Sequence, residues 1–419
     1  MKDKVRIGYV GLGRRGTGVF KTNIVDMDDV EIVTICDLCR ERMQRATAIM
    51  TEKGRPAPKE TTDYRDILND PTIDAVFIMT GWSKRPQMAI EAMRAGKYTA
   101  IEVGVADTLE ECFELVRAYE ETGVPVMMLE NCCYDRREMM LLNMVRQGLF
   151  GELVHCTGGY QHYLPAEDLF KPVKEKDFPH YRLEHYAKEN RENYPTHELG
   201  PISKFMNINR GNRLVKLSSF ATKSVGLKDY AATNFGADSK EANTVYLQGD
   251  IVNTIITCDD GSTILLTLDT TIPRAYYSRN ISVRGTKGMS SEEKKVVFLE
   301  GMKENTFNNE AEMYEKYDHP LYTEYIAKGV KAAGHGGMDW LVCRAFIESV
   351  KAEINTPIDA YDTATWLAVG PLSEKSIQAG GAPIEFPDFT NGKWRSREPA
   401  LNCKYSLDLI VKDDNISVV

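Results

Sequence analysis

The sequence predicts an α/β protein in two parts: a doubly wound parallel sheet over residues 1–131, then an α+β domain with a largely antiparallel sheet over residues 132–419. Three observations predict it. Residues 5–130 alternate short, almost continuously apolar runs with amphipathic stretches, the pattern of a parallel sheet covered on both faces. After Gly148 the alternation stops, and apolar runs follow one another through Asp/Gly turns, as hairpins do. With 419 residues, 42% hydrophobic and 27% charged, the chain is long enough for two or three packed domains of ordinary composition.

In order, VRIGYVG, VEIVTICD, IDAVFIMT, YTAIEV and VPVMMLE read as strands, separated by the helical ERMQRATAIMTEKG, QMAIEAMRAGK and LEECFELVRAYEETG. The helix REMMLLNMVRQG ends at Gly148 and leads to the strand GELVHCTGGYQH. Residues 163–195 are a polar, aromatic-rich connection too long for an idle loop, so it carries function. PISKFMNINR is helical; DIVNTIITC and STILLTLDTT pair through Asp-Asp-Gly, and NISVRG turns through Thr-Lys-Gly into more strand. Helices return at 338–353 and 359–379.

Net charge excludes one class of partner. At -9 the chain lacks the clustered Lys and Arg that nucleic acid requires. It opens straight into a strand without the long apolar stretch of a signal peptide or membrane helix, which predicts a cytoplasmic protein with no membrane partner. Nine cysteines, scattered through apolar segments, suit reduced thiols. Cys36 and Cys39 form a lone C-x-x-C with no second pair to complete a zinc site. His197-Glu198 begins an H-E-x-x-H motif, but Pro201 stands where the second histidine is needed, so no metal is expected.

Gly11, Gly13 and Gly16 have the G-x-G-x-x-G spacing directly after the first strand and at the start of a helix, the phosphate turn of a Rossmann domain. Asp37 ends the second strand 21 residues after Gly16, where a carboxylate holds the adenosine ribose hydroxyls. A carboxylate there repels a 2′-phosphate, so the predicted cofactor is NAD; Arg40 nearby keeps NADP as the minority reading. Arg14 and Arg15 between the glycines join the cofactor-binding candidates.

With GLGRRG, AIEAMRAGKYTAIEV and RGTKG, the chain resembles the Gfo/Idh/MocA oxidoreductases over nearly its whole length. The segments MMLENCCYDRREMMLLNMVRQGLFGELVH, NYPTHELGPISKFMNINRG, HGGMDW and PLSEKSIQAGGAPIEFPDF are similar, more narrowly, to the NAD-dependent glycosidases of glycoside hydrolase family 109. The resemblance implies a Rossmann NAD-binding domain at 1–131 and a substrate and oligomerisation domain at 132–419, assembled as a homodimer or homotetramer. It also adds Trp82, Glu102, Asn131 and His335 to the cofactor set. Ordinary dehydrogenases of the family carry Glu-Lys-Pro after YTAIEV, the lysine relaying the hydroxyl proton. Here Glu102 is followed by Val103 and Gly104. Valine exchanges no proton, so its presence favours the glycosidase branch. Two further departures, Arg85 at a histidine position and Tyr163-Leu-Pro after GGYQH, are expected to alter the sugar that fits.

NYPTHELGP by itself reads as Thr196 capping a helix with His197 packed in its first turn. The resemblance implies more: Tyr194 and His197 face the sugar beside the nicotinamide, with Tyr160 of GGYQH as the third catalytic candidate. Arg182, Tyr277 and Glu102 are the implied substrate contacts; Tyr276, next to Tyr277, faces the other side of a strand. The resemblance then implies a hexopyranoside oxidised transiently at C3, so that the C1 substituent leaves, water adds and the C3 alcohol is restored. His197 handles the C3 hydroxyl proton and Tyr160 or Tyr194 the C2 proton, with Arg182 or the nicotinamide cation lowering the phenol's pKa. The alternative is a sugar 3-dehydrogenase with net redox turnover, and a third class is a cofactor-binding protein without catalysis.

Overall fold

The computed structural model describes residues 2–175, 180–327, 335–397 and 404–408. Its first sheet contains β1 (Val5–Val10), β2 (Val30–Cys36), β3 (Lys59–Thr61), β4 (Ala75–Ile78), β5 (Tyr98–Ile101) and β6 (Val126–Met128). These run parallel in the order β3-β2-β1-β4-β5-β6. The apolar runs are buried throughout: Val5, Ile7, Tyr9, Ala75, Val76, Phe77 and Ala100 are all inaccessible. Such strands need helices on both faces, and helices lie between successive strands of this sheet. Strand order reverses between β1 and β4, which opens a crevice at the carboxyl ends of the strands.

The second sheet is built from β7 (Leu153–Gln161), β8 (Leu214–Ala221), β9 (Ile251–Cys258), β10 (Thr263–Asp269), β11 (Ser282–Gly285), β12 (Gly288–Ser291), β13 (Val296–Leu299) and β14 (Ile384–Glu385). The order is β13-β12-β11-β7-β10-β9-β8-β14, antiparallel except for the central pair β7 and β10. Alternation along β9 buries Val252, Thr254, Ile256 and Cys258 while Asn253 and Ile255 point outward. One face is therefore covered by helices. The other is open and carries Phe220 and Ile255, both exposed.

The described part of the 163–195 connection carries three short helices, Pro165–Leu169, Lys171–Glu175 and Tyr181–Lys188. The helix after it spans Thr196–Phe205. Pro195 stands at its cap position and no side chain caps it, so Thr196 is the first helical residue and not the cap. Among the described residues no helix is long and apolar enough to cross a membrane, and every described cysteine is a free thiol.

Candidate active site

β1 delivers the glycine loop to the crevice. Gly11 has φ of +94°, and a Cβ there would come within 2.8 Å of the Met79 carbonyl carbon. A Cβ on Gly16 would lie 2.1 Å from the Gly11 carbonyl oxygen. Gly13, by contrast, has only an Arg42 nitrogen, at 4.0 Å, in reach of its missing Cβ, so its backbone faces open space. Asp37 accepts hydrogen bonds from the Leu12 N–H at 2.6 Å and the Cys39 N–H at 2.8 Å, which fix its carboxylate beside that space. Lone pairs remain for ribose hydroxyls. These residues fit NAD: room for a pyrophosphate against backbone and a carboxylate where the ribose falls. The cation beside Asp37 is Arg42, at 3.9 Å; Arg40 is exposed.

The two arginines after Gly13 part company. Arg14 pairs with Asp168 at 3.0 Å, linking the glycine loop to the 163–195 segment. Arg15 donates to Glu102 at 3.1 Å and, through both terminal nitrogens, to Asp339 at 2.7 and 2.8 Å. Asp339 also accepts from Asn131 at 2.6 Å and lies 2.8 Å from His335 Nδ1. Burial alone would raise the Asp339 carboxyl, yet Arg15 and His335 hold it far below the ordinary range. Four of the expected cofactor residues, Arg15, Glu102, Asn131 and His335, thus form one charged network organised by Asp339. Trp82 is 1% exposed, its ring enclosed by Tyr181 and His185 with centroids at 5.1 and 5.0 Å.

Tyr160, Tyr194, His197, Arg182 and Tyr277, far apart in sequence, converge. Ring centroids lie 4.3 Å apart for Tyr160 and Tyr194, 5.0 Å for Tyr194 and His197, and 5.7 Å for Tyr160 and His197. The Arg182 guanidinium sits 4.3 Å from the Tyr194 ring and 5.5 Å from the Tyr160 ring. Tyr277 reaches Tyr160 at 6.1 Å, while Tyr276 turns away toward Arg274 and Glu293. Both tyrosines lie in a loop rather than a strand. Burial raises the Tyr160 phenol and drives that of Tyr194 well up, and in each case Arg182 offsets only part of it. The expectation that Arg182 would lower these phenols is corrected: desolvation wins.

The sequence reading missed the partner of His197. Glu130, fully buried after β6, receives His197 Nδ1 at 2.8 Å on an oxygen that also accepts the Cys132 N–H at 3.0 Å. Burial favours the neutral acid, but His197 outweighs it and holds the Glu130 carboxyl below its usual value. An ionised Glu130 only accepts, so Nδ1 carries the proton and Nε2 is the nitrogen left for exchange. Close packing makes this possible: a Cβ on Gly200 would fall 2.7 Å from the Glu130 Cγ, and one on Gly158 of β7 2.6 Å from the Glu198 Cβ.

Two departures noted in the sequence resolve structurally. Arg85 is 3% exposed and donates to the carbonyls of Glu102 and Val103, both at 2.6 Å, and of Thr80. It clamps the ends of β4 and β5 together and is spent on backbone, which corrects the idea that it selects the sugar. Val103, where a lysine was missing, is 2% exposed, and Gly104 lets the Trp82 indole pack against the loop, since a Cβ would fall 2.3 Å from that ring.

Comparison with known proteins bears on the family and the fold. The NAD-binding Rossmann-fold model of the oxidoreductase family GFO_IDH_MocA matches residues 5–130, and the C-terminal domain model of glycosyl hydrolase 109 matches residues 134–396. A glycosyl hydrolase family 109 protein of Stenotrophomonas maltophilia (strain K279a) is 40% identical over 425 residues, covering 96% of this chain and 93% of the relative. An alpha-N-acetylgalactosaminidase of Tannerella forsythia is 37% identical over 422 residues, covering 94% and 88%. In fold, the chain is similar to levoglucosan dehydrogenase in complex with NADH and levoglucosan, with a TM-score of 0.69 at 16% identity, covering 92% of this chain and 100% of that one. An NAD-binding enzyme, the chain belongs to glycosyl hydrolase family 109 within the Gfo/Idh/MocA oxidoreductases.

Proposed function

We propose that the protein is an NAD-dependent glycosidase that cleaves a hexopyranoside by transient oxidation at C3, with an N-acetyl-α-galactosaminide as the first substrate to try. One observation carries the reading: a charged Glu130 holds His197 beside two phenols and a guanidinium, a set built to move protons at neighbouring carbons of one ring. NAD supplies a reversible two-electron acceptor for C3 of the sugar. His197 Nε2 takes the C3 hydroxyl proton, and Glu130 stabilises the imidazolium that forms. Tyr160 or Tyr194 takes the C2 proton that a C3 ketone acidifies, which lets the C1 substituent leave and water add. Arg182 orients the sugar and balances negative charge; Tyr277 closes one side of the site. With Val103 buried in place of a lysine, His197 is the group suited to the hydroxyl proton.

The reaction belongs in the cytoplasm, a setting supported by the free thiols of the described cysteines. A homodimer or homotetramer would cover the open face of the second sheet, where Phe220 and Ile255 are exposed. The deciding experiment offers purified protein a panel of aryl glycosides, including N-acetylgalactosaminides, and follows aglycone and NADH absorbance with and without added NAD. Aglycone over many turnovers without NADH build-up is the expected result. NADH accumulating without aglycone would make the protein a sugar 3-dehydrogenase.

A further inference from the structure

The proposed chemistry needs a base at C2, and a buried phenol is a poor one. Tyr160 and Tyr194 differ in one respect. The Tyr160 hydroxyl lies 3.2 Å from Nδ1 of His162, whereas Tyr194 has no side-chain hydrogen-bond partner for its phenol among the described residues. The contact follows from register. Gly158 and Tyr160 are two apart on β7, hence on one face, and that face meets the helix of His197 because Gly158 packs against Glu198. His162, two further on, has its N–H held by the Asp269 carbonyl at 2.9 Å, which keeps the side chain on the same side past the strand end.

We propose that His162 relays the proton of Tyr160, making Tyr160 rather than Tyr194 the base at C2. In the step, the C2–H bond breaks and its proton passes to the Tyr160 oxygen as the phenolic proton passes to His162 Nδ1. The C–H electron pair moves into the C1–C2 bond as the C1 substituent departs with its bonding pair. As water adds, its hydroxide bonds to C1 and its other proton goes to the departed C1 substituent, while the relay runs backward. Tyr160 returns a proton to C2 and His162 Nδ1 returns one to Tyr160, so the protein ends with no net change in protons. The requirement on His162 is the tautomer with its proton on Nε2. Burial works against negative charge on Tyr160, and the Arg182 guanidinium, over its ring at 5.5 Å, offsets only part of that. A relay that passes the phenolic proton onward therefore keeps the buried oxygen from carrying a full charge. The ring also faces Tyr194 at 4.3 Å, His197 at 5.7 Å and Tyr277 at 6.1 Å. Asp168 acts on it in the opposite sense to Arg182 from farther off. His162 itself faces Tyr277 at 5.1 Å. It acts through Tyr160 and is a positioning residue.

The inference rests on the glycosidase reading, and one experiment separates their failures. Enzyme, NAD and the aryl glycoside of the panel that turns over are mixed in D2O. Deuterium at C2 of the sugar is read by NMR, and hydride transfer is read by NADH absorbance in a single turnover. His162→Gln is expected to lose C2 exchange and aglycone release by about 100-fold or more, while NADH still forms within about 3-fold of the parent rate. Tyr160→Phe should lose exchange at least about 10-fold more than Tyr194→Phe. Exchange at the parent rate in His162→Gln, or greater loss in Tyr194→Phe, overturns the relay and leaves the glycosidase reading standing. A parent enzyme that shows neither NADH nor exchange on any panel member overturns both. If His162→Gln also loses the hydride step, added imidazole must restore exchange in His162→Ala; failure to do so counts against the relay. A readout without sugar comes from ¹⁵N-histidine spectra, which should show Nδ1 of His162 as an acceptor and change in Tyr160→Phe. A proton on Nδ1 in the resting protein would sink the proposal.

Discussion

Glu130→Gln removes the charge at His197 Nδ1 and leaves a side chain of nearly the same shape. At 2.8 Å, two unit charges interact by about 6 kcal/mol if the effective dielectric is near 20. The glutamine oxygen can still accept from Nδ1 and from the Cys132 N–H, which returns about 1–2 kcal/mol. Roughly 4 kcal/mol of support for a protonated His197 is lost, about a 10³-fold slower proton transfer from the C3 hydroxyl. Single-turnover NADH formation reads that step directly, and KM should move little because Glu130 is buried away from the sugar. Glu130→Asp, which keeps the charge, should recover part of the rate. A Glu130→Gln enzyme within about 5-fold of the parent at every pH would show that His197 does not act as the base, since general base catalysis alone supplies about 10²-fold or more.

Asp37→Ala should weaken NAD binding by about 10-fold, near 1.4 kcal/mol, and narrow the preference over NADP; fluorescence titration with both cofactors reads it, and an unchanged ratio contradicts the role of Asp37. Burial pushes the Glu192 carboxyl up to about 8, above the ordinary value near 4.3 that it regains on unfolding. Its contribution to stability is complete below about 4.3 and is lost as pH rises through 8. Glu192→Gln should therefore flatten the fall of Tm between pH 5 and 9, an interval of roughly that width; parallel curves for variant and parent would exclude it. Ile255→Lys, on the open face of the second sheet, should shift the protein toward monomer in light scattering, whereas an unaltered mass would place the subunit contact elsewhere.

Patterns confined to neighbouring residues were readable from the chain. The strands β1, β2, β4, β5 and β6 came from apolar runs, the β9–β10 hairpin from Asp-Asp-Gly, and the cofactor loop from glycine spacing plus Asp37. The catalytic candidates Tyr160, Tyr194 and His197 were reached through family resemblance, and the structure brings them together without testing what each does. Glu130, His162, Asp339 and Arg42 escaped because pairing in space leaves no periodic trace: Glu130 and His197 are separated by 67 positions and Arg15 and Asp339 by 324. His162 could have been found, since it lies two residues past Tyr160 and one beyond the end of β7, where the alternation of the strand still points to that face. Arg85 misled for the reason that a long cation on paper can point either to a ligand or to backbone carbonyls. The helix start at Thr196 was mistaken for a cap because threonine before an apolar run usually is one.

The network around Asp339 also bears on how the chain is made. Arg15, Glu102 and Asn131 leave the ribosome early, in the half of the chain that holds every strand pairing of the first sheet. Their shared carboxylate emerges some two hundred residues later. Until then Arg15 has Glu102 as its partner, and the Asn131 side-chain nitrogen lacks the acceptor it has in the finished chain. Synthesis therefore passes through a stage at which the cofactor mouth is formed but unsealed, and any truncation ahead of residue 339 would preserve that stage as its end product.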